Sequence, residues 1–120
     1  MSKPLALIIE DDPQLNDIIS LTLENDFEIR TCTDGHTGLQ TLDQVTPQLV
    51  ILDLHLPGVP GRDILQHIRT EERLSGIRVI ITTADERQAE TLTNEADIVL
   101  LKPVSPAQLR ELASRLRRTL

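Results

Sequence analysis

Aromatic side chains are almost missing from this sequence, with Phe27 the only one and no Trp or Tyr. That removes the stacking rings on which single-stranded nucleic acids rest, and a formal net charge of −7 removes the basic face that a phosphate backbone requires. Direct binding of DNA or RNA is not expected. Cysteine is limited to Cys32, so no internal disulfide can form. The composition suits a reducing, cytoplasmic compartment, with Cys32 itself acting as a small apolar strand residue. Long hydrophobic runs are lacking too. The apolar stretch that follows Met1-Ser2-Lys3-Pro4 is stopped by an acidic cluster beginning at Glu10, too soon for a secretory signal or a bilayer span. No membrane role is expected.

What is present fits one domain over residues 1–120, since a chain of this length with 39% hydrophobic residues can bury a core without disulfides or a structural metal. The basic residues gather near the end, at Arg110, Arg115, Arg117 and Arg118, where a last helix would place them near its negative dipole end and in solvent.

Short apolar runs alternate with longer amphipathic ones. Leu5–Ile9, Leu49–Leu52, Val79–Ile81 and Ile98–Leu101 are uninterrupted and rich in Ile, Val and Leu, as expected of parallel strands covered on both faces. Phe27–Cys32 alternates apolar and polar residues, which predicts an edge strand with one face partly wet. Leu15, Ile18, Ile19 and Leu23 fall on one helical stripe, as do Leu109, Leu112, Ala113 and Leu116. Asp12-Pro13 and Ser105-Pro106 each set a capping residue before a first-turn proline, and Asp85 suits a cap for a helix beginning near Glu86. Ile64, Leu65 and Ile68 predict a third helix, Leu39 and Leu42 a fourth, and Ala89, Leu92 and Ala96 a fifth. Five strands alternating with five helices need right-handed crossovers, and hence a parallel sheet with helices on both faces.

Ligands in such sheets bind beyond the carboxyl ends of the strands. There the sequence places Glu10, Asp11 and Asp12 after the first run, Asp53 after the third, Thr82 and Thr83 after the fourth, and Lys102 after the fifth. Each alone is adequately explained as a turn, cap or strand residue, and for Asp12 the cap suffices. Together they bring several carboxylates, a hydroxyl and an ammonium to one edge. Clustered carboxylates raise each other's pKa unless a cation sits among them, and an all-oxygen set favours a hard ion such as Mg²⁺. Asp53 then suits a nucleophile on phosphorus, with Lys102 and Thr83 stabilising the oxygens of the transferred group.

The segments Ile8-Ile9-Glu10-Asp11-Asp12-Pro13, Leu49 to Pro57 with Gly61, Ile81-Thr82-Thr83-Ala84 and Leu101-Lys102-Pro103 together resemble the receiver domain of bacterial two-component response regulators, over essentially the whole chain. The resemblance implies a flavodoxin-like, doubly wound five-stranded sheet of order 2-1-3-4-5. It implies Asp53 as phosphoacceptor, with Asp11, Asp53 and the backbone carbonyl of His55 as direct Mg²⁺ ligands and Glu10 acting through water. It further implies Thr83 as the switch hydroxyl, Lys102 as the phosphate-pairing lysine, and a cis bond before Pro103. The His55 side chain is expected to border the pocket. The implied partners are a histidine kinase or histidine phosphotransfer protein upstream, and an output partner or fused output domain downstream.

Two positions depart from the family pattern. Val99 stands where a Phe or Tyr commonly rotates behind the switch hydroxyl, and Glu95 replaces a common glycine, leaving Asn94 as the residue suited to a left-handed helix end. The expected role is a phosphorylation switch and not an enzyme with ordinary turnover. A receiver-like scaffold that binds partners independently of phosphorylation is the alternative. A true phosphohydrolase would need an acid-base carboxylate two residues past Asp53, where His55 stands. Apolar Ile98, Val99 and Leu100 are compatible with a homodimer and equally with core burial.

Overall fold

A computed structural model describes residues 2–120. The elements run β1 (Leu5–Ile9), α1 (Pro13–Leu23), β2 (Glu28–Cys32), α2 (Gly35–Gln44), β3 (Leu49–Asp53), α3 (Gly61–Thr70), β4 (Arg78–Thr83), α4 (Glu86–Thr91), β5 (Ile98–Leu101) and α5 (Pro106–Arg117). All strand pairings are parallel and the sheet order is β2-β1-β3-β4-β5, the order implied by the resemblance. The alternating segment lies at the sheet edge, as its pattern implied.

Alternation along the strands divides the core into two layers. Leu7, Ile9, Val50, Leu52, Val79 and Ile81 face Leu42 of α2 and Ile64, Leu65 and Ile68 of α3. Ala6, Ile8, Leu49, Ile51, Ile80 and Leu100 face Ile19 and Leu23 of α1 and Leu109 and Ala113 of α5. On this second face one cross-strand row is isoleucine in four of the five strands: Ile8 pairs with Ile51, Ile51 with Ile80, and Ile80 with Ile98, while Thr31 of β2 pairs with Ile8 at the edge. Such a row of branched side chains fills the pleat closely.

The proposed caps are formed. Asp12 accepts from Gln14 N (3.0 Å), Ser105 from Gln108 N (3.2 Å), and Asp85 from Arg87 N and Gln88 N (3.0 and 3.3 Å). Four local expectations differ from the structure. Ile18 is 46% exposed, because the buried stripe of α1 runs through Asn16, Ile19 and Leu23. Phe27 precedes β2 and is buried with the α1–α5 layer. The helix after β4 stops at Thr91, and Leu92 and Ala96 reach the core from turns beyond it. Asn94 is not left-handed: among the described residues Gly58 alone has a positive φ (79°). The Lys102–Pro103 peptide is cis.

Two features fix the end of the sheet where β1 and β3 stop. The Asn16 side chain, 4% exposed, donates from Nδ2 to Glu10 O and to Cys32 O (both 3.1 Å), clasping the ends of β1 and β2 to α1. Gly61, first residue of α3, lies so close to the end of β3 that a Cβ there would sit 2.3 Å from the Asp53 carbonyl oxygen.

Two substitutions test this framework by urea unfolding. Asn16→Ala leaves the buried Glu10 carbonyl without its donor and removes one of two donors from Cys32 O, which keeps Glu10 N (3.1 Å), and is expected to cost about 1–3 kcal/mol. Gly61→Ala forces α3 and β3 apart, with an expected loss of about 1–3 kcal/mol and shifted amide resonances from Asp53 to His55. Unchanged unfolding midpoints would contradict both contacts.

Candidate functional site

The site is the next row of the α1–α5 face, one step beyond the isoleucines. Asp53 pairs directly with Thr82, and Glu10 follows Ile9, whose partner Leu52 precedes Asp53. Side chains two residues apart on a strand share a face, so Glu10, Asp53 and Thr82 stand above Ile8, Ile51 and Ile80. An apolar floor of branched residues thus carries a polar row, and all three polar residues are at most 2% exposed. Asp53 and both threonines lie inside their strands, β3 running one residue and β4 two residues further than the apolar runs alone suggested.

Lys102, just past β5, sends its ammonium across the row. Its Nζ stands 3.1 Å from Glu10 Oε1 and 3.3 Å from Asp53 Oδ2. The Glu10 contact is an ion pair without hydrogen-bond alignment, leaving Oε1 buried and lacking a directed donor. The other oxygens are held by backbone: Glu10 Oε2 accepts from Asp12 N and Asp53 Oδ1 from His55 N, each at 3.1 Å. Asp11 is exposed at the mouth.

Burial pushes the Glu10 carboxyl up to about 7; the adjacent Asp53 carboxylate adds to the rise, while the Asp12 N–H and Lys102 oppose it. Asp11 is held below its ordinary value: slight burial works upward, but hydrogen bonding with Glu10 and Asp53 and the charge of Lys102 outweigh it. The Lys102 ammonium is strengthened, since burial, which would weaken it, is overcome by Glu10 and Asp53.

The donor set fits a hard divalent cation. Glu10, Asp11 and Asp53 each offer a carboxylate oxygen within 4.8 Å of the others, all donors are oxygen, and Glu10 Oε1 is buried with an ion pair to Lys102 but no hydrogen bond. A cation there would also relieve the repulsion that drives Glu10 upward.

Thr83, fully buried, projects to the opposite face from Thr82, and its Oγ1 accepts from Asp85 N (3.0 Å). His55 is exposed beside the acidic cluster. Val99 is half-buried against the core layer that α2 and α3 cover. The structure therefore brings together Glu10, Asp11, Asp53 and Lys102, with His55 bound to Asp53 through its N–H, and sets Thr83 one residue past the row. Sequence reasoning missed Asn16 and passed over Thr82 in favour of Thr83. Asn16 left a signal, a polar residue three and seven positions before Ile19 and Leu23 on the buried stripe. Thr82 left one too, since alternation assigns it to the Asp53 face.

The comparisons with known proteins agree with this geometry. The family model for the response regulator receiver domain matches residues 6–114. The DNA-binding dual master transcriptional regulator RpaA of Synechocystis is 35% identical over 97% of this chain and 50% of its own length. The DNA-binding response regulator MtrA of Mycolicibacterium smegmatis is 32% identical over 93% of the chain and 50% of its own length, so the chain spans about half the length of these curated relatives. A putative response regulator from Chloroflexus aurantiacus, 22% identical, superposes with a TM-score of 0.90 over 98% of this chain and 99% of its own, which establishes the common fold. With its sheet order, its acidic row crossed by a lysine and a family match over nearly all of its length, the chain belongs to the response regulator receiver domain family.

Proposed function

We propose that the chain is the phosphoryl-accepting switch of a two-component phosphorelay, with Asp53 as acceptor and a phosphohistidine of a histidine kinase or phosphotransfer protein as donor. The observation that carries this reading is the Lys102 ammonium lying 3.1 and 3.3 Å from the buried carboxylates of Glu10 and Asp53. In the transfer, an Asp53 carboxylate oxygen forms the new P–O bond while the P–N bond to the donor imidazole breaks and its electron pair stays on the imidazole. Hydrolysis of the resulting acyl phosphate returns the Asp53 carboxylate and inorganic phosphate. Asp11, Asp53 and the His55 backbone carbonyl would hold Mg²⁺, with Glu10 reaching it through water. The ion would neutralise charge on the phosphoryl oxygens. Lys102 pairs with one of those oxygens, and the His55 side chain borders the acyl phosphate and tunes its hydrolysis. The domain acts as a switch and not as an enzyme with ordinary turnover.

Phosphorylation adds about −1.5 to −2 charge units where the carboxylates already crowd. Drawing the Thr83 hydroxyl toward the phosphoryl group would release Asp85 N, and Asp85 is the cap of α4. This helix is only six residues long and stops before the core residues Leu92 and Ala96, so displacement of its cap residue is readily propagated to the α4–β5–α5 face. That face is the proposed contact for an output partner, a fused output domain or a second copy in a homodimer. No helix among the described residues is long and apolar enough to cross a membrane; the setting proposed for the relay is cytoplasmic. Val99 supports the second reading, a scaffold whose contacts ignore phosphorylation, because a valine cannot perform the aromatic rotation common at its position.

Intact mass after incubation with acetyl phosphate and Mg²⁺ tests the proposal: one phosphoryl adduct is expected, absent in Asp53→Asn and after chelation. No adduct, or one that persists in Asp53→Asn, would overturn it. For the relay step, Thr83→Val is expected to accept the phosphoryl group while losing the amide shifts of Asp85 to Thr91 on phosphorylation. Shifts of undiminished size would place the output elsewhere and, if partner binding were also unaltered, favour the scaffold.

A further inference from the structure

Thr82 is a buried strand residue whose hydroxyl has no hydrogen-bond partner among the described residues, although it is only 1% exposed. Unpartnered buried hydroxyls are rare and costly. A valine would keep the shape and suit the strand better. Where the hydroxyl lies supplies a reason for it. Thr82 is the register partner of Asp53 on one side and of Leu100 on the other. Adjacent strands are about 4.8 Å apart, and β4 separates β5 from β3. The Lys102 side chain, rising from the end of β5 to meet Asp53 Oδ2 on β3 and Glu10 Oε1 on β1, must therefore cross the end of β4. The β4 side chain on that face at that level is Thr82. Thr83 is excluded from this role, since it points to the other face and its hydroxyl is engaged by Asp85 N.

An ammonium carries three N–H donors, and its two carboxylate contacts here are charge contacts at 3.1 and 3.3 Å, so a donor remains for the hydroxyl of β4. We propose that Thr82 is a positioning residue for Lys102: once Asp53 carries a phosphoryl group, its hydroxyl accepts an N–H of the ammonium and fixes where the charge stands. In that state Lys102 exchanges Asp53 Oδ2 for a phosphoryl oxygen, and the hydroxyl of β4 keeps the ammonium from following Glu10 toward β1. The inference rests on the phosphoacceptor reading and adds a residue to it.

Beryllofluoride with Mg²⁺, an unreactive stand-in for the phosphoryl group, is the probe, with binding and the Lys102 ammonium resonance followed by ¹H–¹⁵N NMR. Thr82→Val is expected to fold with an undiminished melting temperature. It should bind beryllofluoride about tenfold more weakly, the scale of one hydrogen bond to a charged group, with faster exchange of the ammonium protons. Thr82→Ser, which keeps the hydroxyl and loses the methyl group, should regain most of the affinity and the slow exchange. Unaltered binding and exchange in Thr82→Val, or a loss in Thr82→Ser equal to that in Thr82→Val, would overturn the inference while leaving Asp53 as acceptor. Failure of the unsubstituted protein to bind beryllofluoride would overturn both.

Discussion

The placement of one ammonium between two buried carboxylates governs the chemistry of this domain. Glu10 and Asp53 end neighbouring strands on the same face, each almost wholly buried. Burial and the neighbouring Asp53 carboxylate both oppose ionisation of Glu10, and Lys102 opposes that tendency from the far side of β4. No local segment could assemble this group. It needs the parallel crossovers that bring the carboxyl ends of β1, β3 and β5 to one edge, and the isoleucine row that holds the three strands in register beneath it. The sheet is in this sense a jig for charges.

The surroundings of the site are unequally fixed. On the β1 side, Asn16 binds two strand ends and Asp12 is locked as a cap; on the β3 side, Gly61 lets α3 abut the strand. Beyond β4 comes a six-residue helix whose cap residue is tied to Thr83 through a single backbone donor, with Arg62 reaching Thr91 and Arg69 reaching Glu95 O beyond it. On the proposed phosphoacceptor reading, a braced acceptor beside a short helix is an arrangement suited to a switch. Val99 limits how that effect can spread through β5, because its half-buried position holds an aliphatic group in contact with the core and no ring that could turn.

Much of this was legible from the residues. Strands covered on both faces announce themselves as uninterrupted apolar runs, and caps before prolines are local signals, so the parallel sheet, Asp12, Asp85 and the convergence of Glu10, Asp53 and Lys102 were accessible. The failures share a cause. Ile18 and Phe27 obeyed the periodicity, but which neighbour covers them is decided by packing. Asn94 suited a left-handed turn that the chain does not make, since Leu92 and Ala96 draw the segment into the core by another route. Thr82 and Thr83 are identical in sequence and opposite in circumstance. One hydroxyl is engaged and the other orphaned, a difference set by strand parity and by the path of a lysine from another strand.

The most direct measurement is borohydride reduction of the phosphorylated protein, which converts an acyl phosphate to an alcohol, followed by peptide mass mapping. The account predicts homoserine at residue 53 and unmodified carboxylates at Glu10 and Asp11. A phosphoryl group that survives reduction, or an alcohol at any other position, would contradict it.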